Sequence, residues 1–306
     1  MQHTSGLRQV AALLLLFAAH SHVSFAQTAG DAKVDEKNAK APAIRRQRTG
    51  NVVLHEQMMQ STFKLMGPTG PSKFTYGTGV IIGRPCPTDP NWGAAILVTA
   101  NHVLKEISGD EITLFYREKK TESWETVPVS IKIRKGGRPL WKAHPTSDIA
   151  ALNVTSSLPP SNGFSPIPLN FLATDRTLDG FEVGPGELVF SLGYPMSISS
   201  GTPGEFAVLR SGYIASHPLL PTSQTKSFLI DTHVFQGNSG GPVYLLASGR
   251  GFGNGIAIRT DFAVLGILTS TLMQKNAHDA SLGLGAVIHA SLVAEMVNSL
   301  PKLDCP

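Results

Sequence analysis

Cysteine is almost missing from this chain. Its 306 residues hold 2, Cys86 and Cys305, with no CxxC pair, too few for a thiolate zinc site. The nearest approach to a metallopeptidase helix, His55-Glu56, has Met59 where HExxH needs its second histidine. Charge of one sign is missing from the body: from residue 51 onward 19 Lys and Arg face 19 Asp and Glu. Of the formal excess of +4, all but the charge of Arg8 comes from residues 27–50, where six basic residues outnumber three acidic ones. A nucleic-acid binder would carry its excess on the folded body, so that class is excluded. Long apolar runs are missing after residue 26, which leaves no later candidate for a membrane span.

The start of the chain reads differently. Arg8 is the single formal charge among side chains 1–26, Val10 to Ala19 is apolar, and Ser24-Phe25-Ala26 offers small residues where a signal peptidase cuts. The apolar stretch is about ten residues, half of a span. Residues 1–26 are therefore expected to be a signal peptide, and the chain to be exported to a periplasmic or extracellular compartment. Residues 27–50 lack bulky apolar side chains and read as a flexible basic tail or linker. In an oxidising compartment Cys86 and Cys305 are candidates for a disulfide that ties the C-terminus to the N-terminal half.

Short runs rich in β-branched residues fill the body: TGVII, AILVT, EITLFY, VPVSIKI, ELVFSL, SFLIDT and AVLGILTS, many separated by Gly, Pro, Asn or Asp. Helical periodicity is confined to His289–Leu300, where Leu292, Val293, Met296, Val297 and Leu300 form a stripe. Many strands and one closing helix predict an all-β sandwich or barrel pair. The Pro-rich residues 158–168 read as the connection between an N-terminal half, 51–157, and a C-terminal half, 169–306.

Three motifs share one chemistry. Acyl transfer from an amide needs a nucleophile, a base, a group that orients the base, and donors for the oxyanion. His102 follows a strand in LVTANHVL; Asp148 leads an apolar strand in HPTSDIAAL; Ser239 sits in FQGNSGGPVY. A carboxylate at the head of a buried strand needs a partner, and His102 Nδ1–H is a suitable one. Gly237 lets the chain turn so that its own N–H and that of Ser239 converge on one point. Gly240 and Gly241 are expected to leave room for substrate backbone. Singly, each motif also reads as an ordinary turn. GNSGG fits the nucleophile elbow of α/β-hydrolases as well, but that elbow is followed by a helix, and PVYLL reads as strand.

YGTGVIIG, ILVTANHVL, TSDIAAL, LVFSLGYP, GNSGGPVY, VLGILTS and LGLGAVI, spread over about residues 75–290, make the sequence resemble the chymotrypsin-like serine peptidases, closest to the HtrA/Deg peptidase domain. The resemblance implies two packed six-stranded β-barrels with a C-terminal helix. It implies His102 as base, Asp148 as its orienter, Ser239 as nucleophile, and the Gly237 and Ser239 amides as oxyanion hole. Asn238 stands where cleavage-activated relatives have Asp, and no IVGG-like start follows Arg48, so activation by a new N-terminus is not expected. The chain stops six residues after its last predicted helix, so capture of substrate by an appended PDZ domain is not expected either.

The same resemblance implies a specificity pocket from residues 233–236, 268–270 and 283–286. Val234, Leu268, Thr269 and Leu284 predict small or medium apolar side chains before the scissile bond, whereas His233 offers an alternative preference for Glu. The expectation is a secreted serine endopeptidase acting on polypeptides, with no cofactor, no metal and no nucleic-acid partner, and its oligomeric state left open. The competing class is a catalytically silent peptide-binding protein on a peptidase scaffold.

Overall fold

The computed structural model describes residues 50–88, 93–159, 164–252, 255–273 and 281–301. The predicted signal peptide, nearly all of the basic tail, and Cys305 lie outside them. Among the described residues no helix is long and apolar enough to cross a membrane.

A helix, α1 (Gly50–Gln60), precedes the first strand. The N-terminal sheet then runs through β1 (Thr62–Gly70), β2 (Lys73–Pro85), β3 (Gly93–Thr99), a short helix α2 (Asn101–Glu106), β4 (Glu111–Lys119) and β5 (Trp124–Lys132). A two-stranded ribbon, β6 (Arg134–Lys135) and β7 (Arg138–Pro139), turns through Gly136 and Gly137, both at positive φ. β8 (Lys142–Ala143) and β9 (Ala150–Asn153) complete the path, whose order is β5-β4-β1-β2-β3-β9-β8. β10 (Ile167–Pro168) adds in parallel to β2. Past a short helix, α3 (Asp175–Gly180), six strands close into a barrel in the order β11-β12-β13-β16-β15-β14. They are β11 (Leu188–Gly193), β12 (Val208–Ile214), β13 (Ser227–Asp231), β14 (Pro242–Phe252), β15 (Gly255–Met273) and β16 (Ser281–His289). α4 (Ala290–Asn298) follows and buries Leu292, Val293, Met296 and Val297 as the stripe predicts.

The expected pair of six-stranded barrels is thus only half realised as closed ladders. The second barrel is closed. In the first half no ladder joins β5 to β8 among the described residues, so the sheet is open at both ends. Its strands nevertheless share one core, with Phe63, Leu65, Leu97, Leu114, Tyr116 and Ile131 in contact.

The unbroken apolar runs VII and ILV have a physical cause. Side chains alternate between the two faces of a strand, and here both faces are covered. Val80 and Ile82 of β2, with Ile96 and Val98 of β3, join the large core that continues into the closed barrel. Ile81 and Leu97 point the other way, into the core of the first half. Arg84, at the end of β2, fastens α4 to this sheet. Its guanidinium donates to the carbonyls of Val297 (3.0 Å), Leu300 (3.1 Å) and Pro301 (2.6 Å), at and just past the C-terminal end of α4.

Candidate active site

His102 stands in the first turn of α2, directly after β3 ends at Thr99. Asp148 lies in the loop that leads into β9. The carboxylate takes both available donors of the histidine: its Oδ1 accepts from the His102 backbone N–H at 2.9 Å, and its Oδ2 accepts from Nδ1 at 2.6 Å. The loop is also tied at the backbone, where Asn101 N donates to the Asp148 carbonyl at 3.3 Å. With the proton held on Nδ1, Nε2 presents a lone pair. The hydrogen bond to Asp148 raises the His102 pKa, burial opposes it, and the charges of Asp148 and Glu106 add to the rise. Both side chains stay more than a third exposed.

Ser239 lies between β13 and β14, in a loop that begins with a turn closed by Asn238 N donating to the Phe235 carbonyl at 3.0 Å. Gly237 occupies that turn at φ +95, in the left-handed region that favours glycine. The Gln236 carbonyl accepts from Met196 N at 2.6 Å. In a trans peptide C=O and N–H point in opposite directions, so Gly237 N–H points away from Met196. Neither Gly237 N nor Ser239 N donates to a protein acceptor among the described residues. The Ser239 hydroxyl donates to the Thr269 carbonyl at 2.9 Å. No hydrogen bond joins it to His102 among the described residues.

The loop is held from the other half of the molecule. Thr78, fully buried on β2, donates its N–H to the Ser239 carbonyl at 2.9 Å and its hydroxyl to the Gly237 carbonyl at 2.6 Å. Its own carbonyl accepts from Thr99 Oγ1 at 2.6 Å. This arrangement corrects the expectation for Gly240 and Gly241. A Cβ on Gly240 would collide with Thr78 O and Thr99 Oγ1, and one on Gly241 with Leu192 O. Both glycines are bare because protein backbone, not substrate, passes there.

The three predicted pocket segments are brought together in part. Val234 and Leu268 are buried, and a Cβ on Gly285 would come within 2.7 Å of Val234 Cγ2 and 2.9 Å of Leu268 Cδ1. Thr269 is buried and its hydroxyl reaches the Ala286 carbonyl at 3.4 Å, while Leu284, half-buried, pairs with Asp231. His233 is exposed, its ring beside Gly283 rather than enclosed with Val234 and Leu268. Cys86 is disulfide-bonded. The residues that sequence reasoning missed are Thr78, visible only as a threonine between two glycines in YGTGV, and Tyr194, whose N–H donates to Thr78 Oγ1 at 3.3 Å.

A family profile described as a trypsin-like peptidase domain matches residues 77–253, more than half of the chain. The chain belongs to the trypsin-like peptidases. That membership puts it among serine endopeptidases. No curated protein matches this peptidase. Two solved structures overlay on it at 17% identity and a TM-score of 0.46. One is the HtrA-type protease AlgWS227A with tripeptide, aligned over 82% of this chain and 63% of the other. The second is a serine endoprotease from Yersinia pestis, aligned over 83% and 68%. The peptidase thus spans less than two thirds of the first relative's length.

Proposed function

We propose that this peptidase hydrolyses peptide bonds through His102, Asp148 and Ser239 by way of a covalent acyl-enzyme. The observation that carries the reading is the two-point grip of Asp148 on His102. It leaves Nε2 as the one site on the imidazole able to take a proton, in a chain whose family uses a serine nucleophile. Ser239 Oγ first turns about χ1 from the Thr269 carbonyl, a rotamer change available to any serine. Its proton then passes to His102 Nε2 as Oγ bonds to the scissile carbonyl carbon. The oxyanion formed accepts from Gly237 N–H and Ser239 N–H, which have no competing acceptor among the described residues. Collapse breaks the C–N bond, and His102 returns the proton to the departing amine. Water repeats the sequence on the acyl-enzyme and frees Ser239. Asp148 stabilises the imidazolium at each transfer.

The walls formed by Val234, Leu268 and Gly285 favour a small or medium apolar side chain before the scissile bond. Exposure of His233 argues against a glutamyl preference. Export by residues 1–26 is the reading of the sequence, checked by cell fractionation. The silent peptide-binding alternative is favoured by one observation, the Ser239 hydroxyl bound to Thr269 O. Labelling of the purified peptidase with a fluorophosphonate, with Ser239→Ala as control, separates the two. Adduct on Ser239 supports the enzyme; a folded protein that takes no label supports the silent scaffold.

A further inference from the structure

Arg117, on β4, is fully buried. Arginine keeps its charge in proteins, and a buried cation needs compensation. Among the described residues no carboxylate lies within ion-pair distance of it. Its Nη2 instead donates to the carbonyls of Met59 (2.9 Å), Gln60 (3.3 Å) and Thr62 (2.7 Å). Two of these belong to the last turn of α1, where unsatisfied carbonyls carry the negative end of the helix dipole. The rings of Phe63 and Phe206 lie against the guanidinium at 4.3 and 4.6 Å.

The remaining bond leads to the candidate site. Arg117 Nη1 donates to the Tyr194 hydroxyl at 3.1 Å, and that hydroxyl can pass its own proton to the Glu205 carbonyl at 3.1 Å. Tyr194 begins the turn that presents Met196 N to the Gln236 carbonyl. Met196 and Ser197 hold φ of +50 and +67, a conformation that side-chain-bearing residues keep only when neighbours impose it. The Tyr194 carbonyl fills the space that a Gly237 Cβ would need. α1 is also joined to β14, the strand that follows the loop, through His55 Nδ1 and the Tyr244 hydroxyl at 2.7 Å.

We infer that Arg117 is a positioning residue for the oxyanion loop. Through Tyr194 it fastens the 194–197 turn to the end of α1, so that Met196 N holds Gln236 O and Gly237 N–H stays aimed outward. The catalytic consequence rests on the function proposed above; the mechanical link does not. In cleavage-activated relatives a new N-terminus orders this loop by pairing with the Asp before the serine; here Asn238 replaces that Asp, and an internal cation anchored to a helix end does the ordering.

The test compares the full chain with Tyr194→Phe, which removes one hydroxyl, and with Arg117→Lys and Arg117→Met. Amide hydrogen exchange is read by segment. The expected result for Tyr194→Phe is exchange in residues 235–241 faster by about tenfold, the worth of one charge-assisted hydrogen bond, with β15 and β16 unchanged. On a reporter peptide, kcat falls by a similar factor while KM stays within about twofold. Arg117→Lys is expected to fall between wild type and Arg117→Met, since an ammonium lacks the planar fork that spans both sets of acceptors. Unchanged exchange at 235–241 in folded Tyr194→Phe overturns the inference. So does a lowered melting midpoint with unchanged kcat, which would mark a purely structural bond. Because exchange needs no turnover, failure of the wild type to label at Ser239 would sink the proteolytic reading and still leave this one decided.

Discussion

On the mechanism proposed above, the base and the nucleophile are held in different ways. Among the described residues every hydrogen-bond partner of His102 and Asp148 belongs to the first half: two bonds between them, one more through Asn101, and the Trp141 indole fixing Asn101 Oδ1 at 3.1 Å. The Ser239 loop divides its anchors. Its own barrel supplies Leu268, which exchanges backbone bonds with Gly240 and Gly241 at 2.7 and 2.9 Å. The opposite half supplies Thr78. A base needs only a fixed tautomer and direction, which neighbouring residues can supply. An oxyanion hole needs two amides fixed relative to that base, so its loop must be referenced to the half that carries it.

The strongest way to break the local pair is Asp148→Asn. With the tautomer no longer enforced, kcat should fall by about 10⁴-fold with little loss of stability, since the side chain is partly exposed. Its pH profile sharpens the point. Protonated His102 cannot accept the serine proton, and Asp148 raises its pKa above 6.5. The acid limb of kcat/KM in the wild type therefore has its midpoint above pH 6.5, and Asp148→Asn moves that limb to lower pH.

Gly240→Ala attacks the shared anchors. The backbone there has φ +94 and Thr78 O occupies the site of the new methyl, so a loss of about 3–5 kcal/mol is expected in denaturant unfolding. Gly136→Ala is the control: φ +58 with open space around it, at about 1 kcal/mol.

Acid tests the barrel alone. His289 is buried beside Phe228, neither ring nitrogen has a hydrogen-bond partner among the described residues, and burial holds its pKa down to about 4. The unfolded chain binds that proton near pH 6.5, so between pH 6.5 and 4 the unfolded state carries more protons. Stability should fall as pH falls through this window, by about 3 kcal/mol at pH 4. His289→Phe should flatten that slope in melts at several pH values and leave the base pair untouched.

Thr78→Val is the smallest change, an isosteric loss of one hydroxyl. It should cost about 1–3 kcal/mol by stranding the buried Gly237 carbonyl. It should also lower kcat more than it raises KM, because it disturbs a group that acts in the transition state.

The strands and α4 were legible because their signals are local. The periodic stripe of 290–298 needs only its own residues, and VII and ILV announce burial on both faces. α1 escaped notice because only a few apolar residues, Leu54, Met58 and Met59 among those described, mark its inner face in eleven residues. His102, Asp148 and Ser239 stood out through their motifs, whereas the pocket segments came only from the resemblance; in the fold Val234 and Leu268 meet at Gly285, and His233 stands apart. Gly240 and Gly241 were read for the right property and the wrong neighbour. Sequence shows that a Cβ is forbidden, and only the fold shows which atom forbids it. Arg117 gave no signal at all, being one basic residue in a strand-like run whose acceptors lie on α1, at the start of β1 and on Tyr194.

β16 has a consequence for how such an enzyme is made. It joins β13 to β15 and so closes the barrel, yet it follows every other described strand in chain order. A nascent chain that has not released β16 holds a finished base and orienter with no settled nucleophile loop opposite them. On the function proposed above, the capacity to cut arrives only once β16 has emerged, so a fragment that stops short of β16 should not cut.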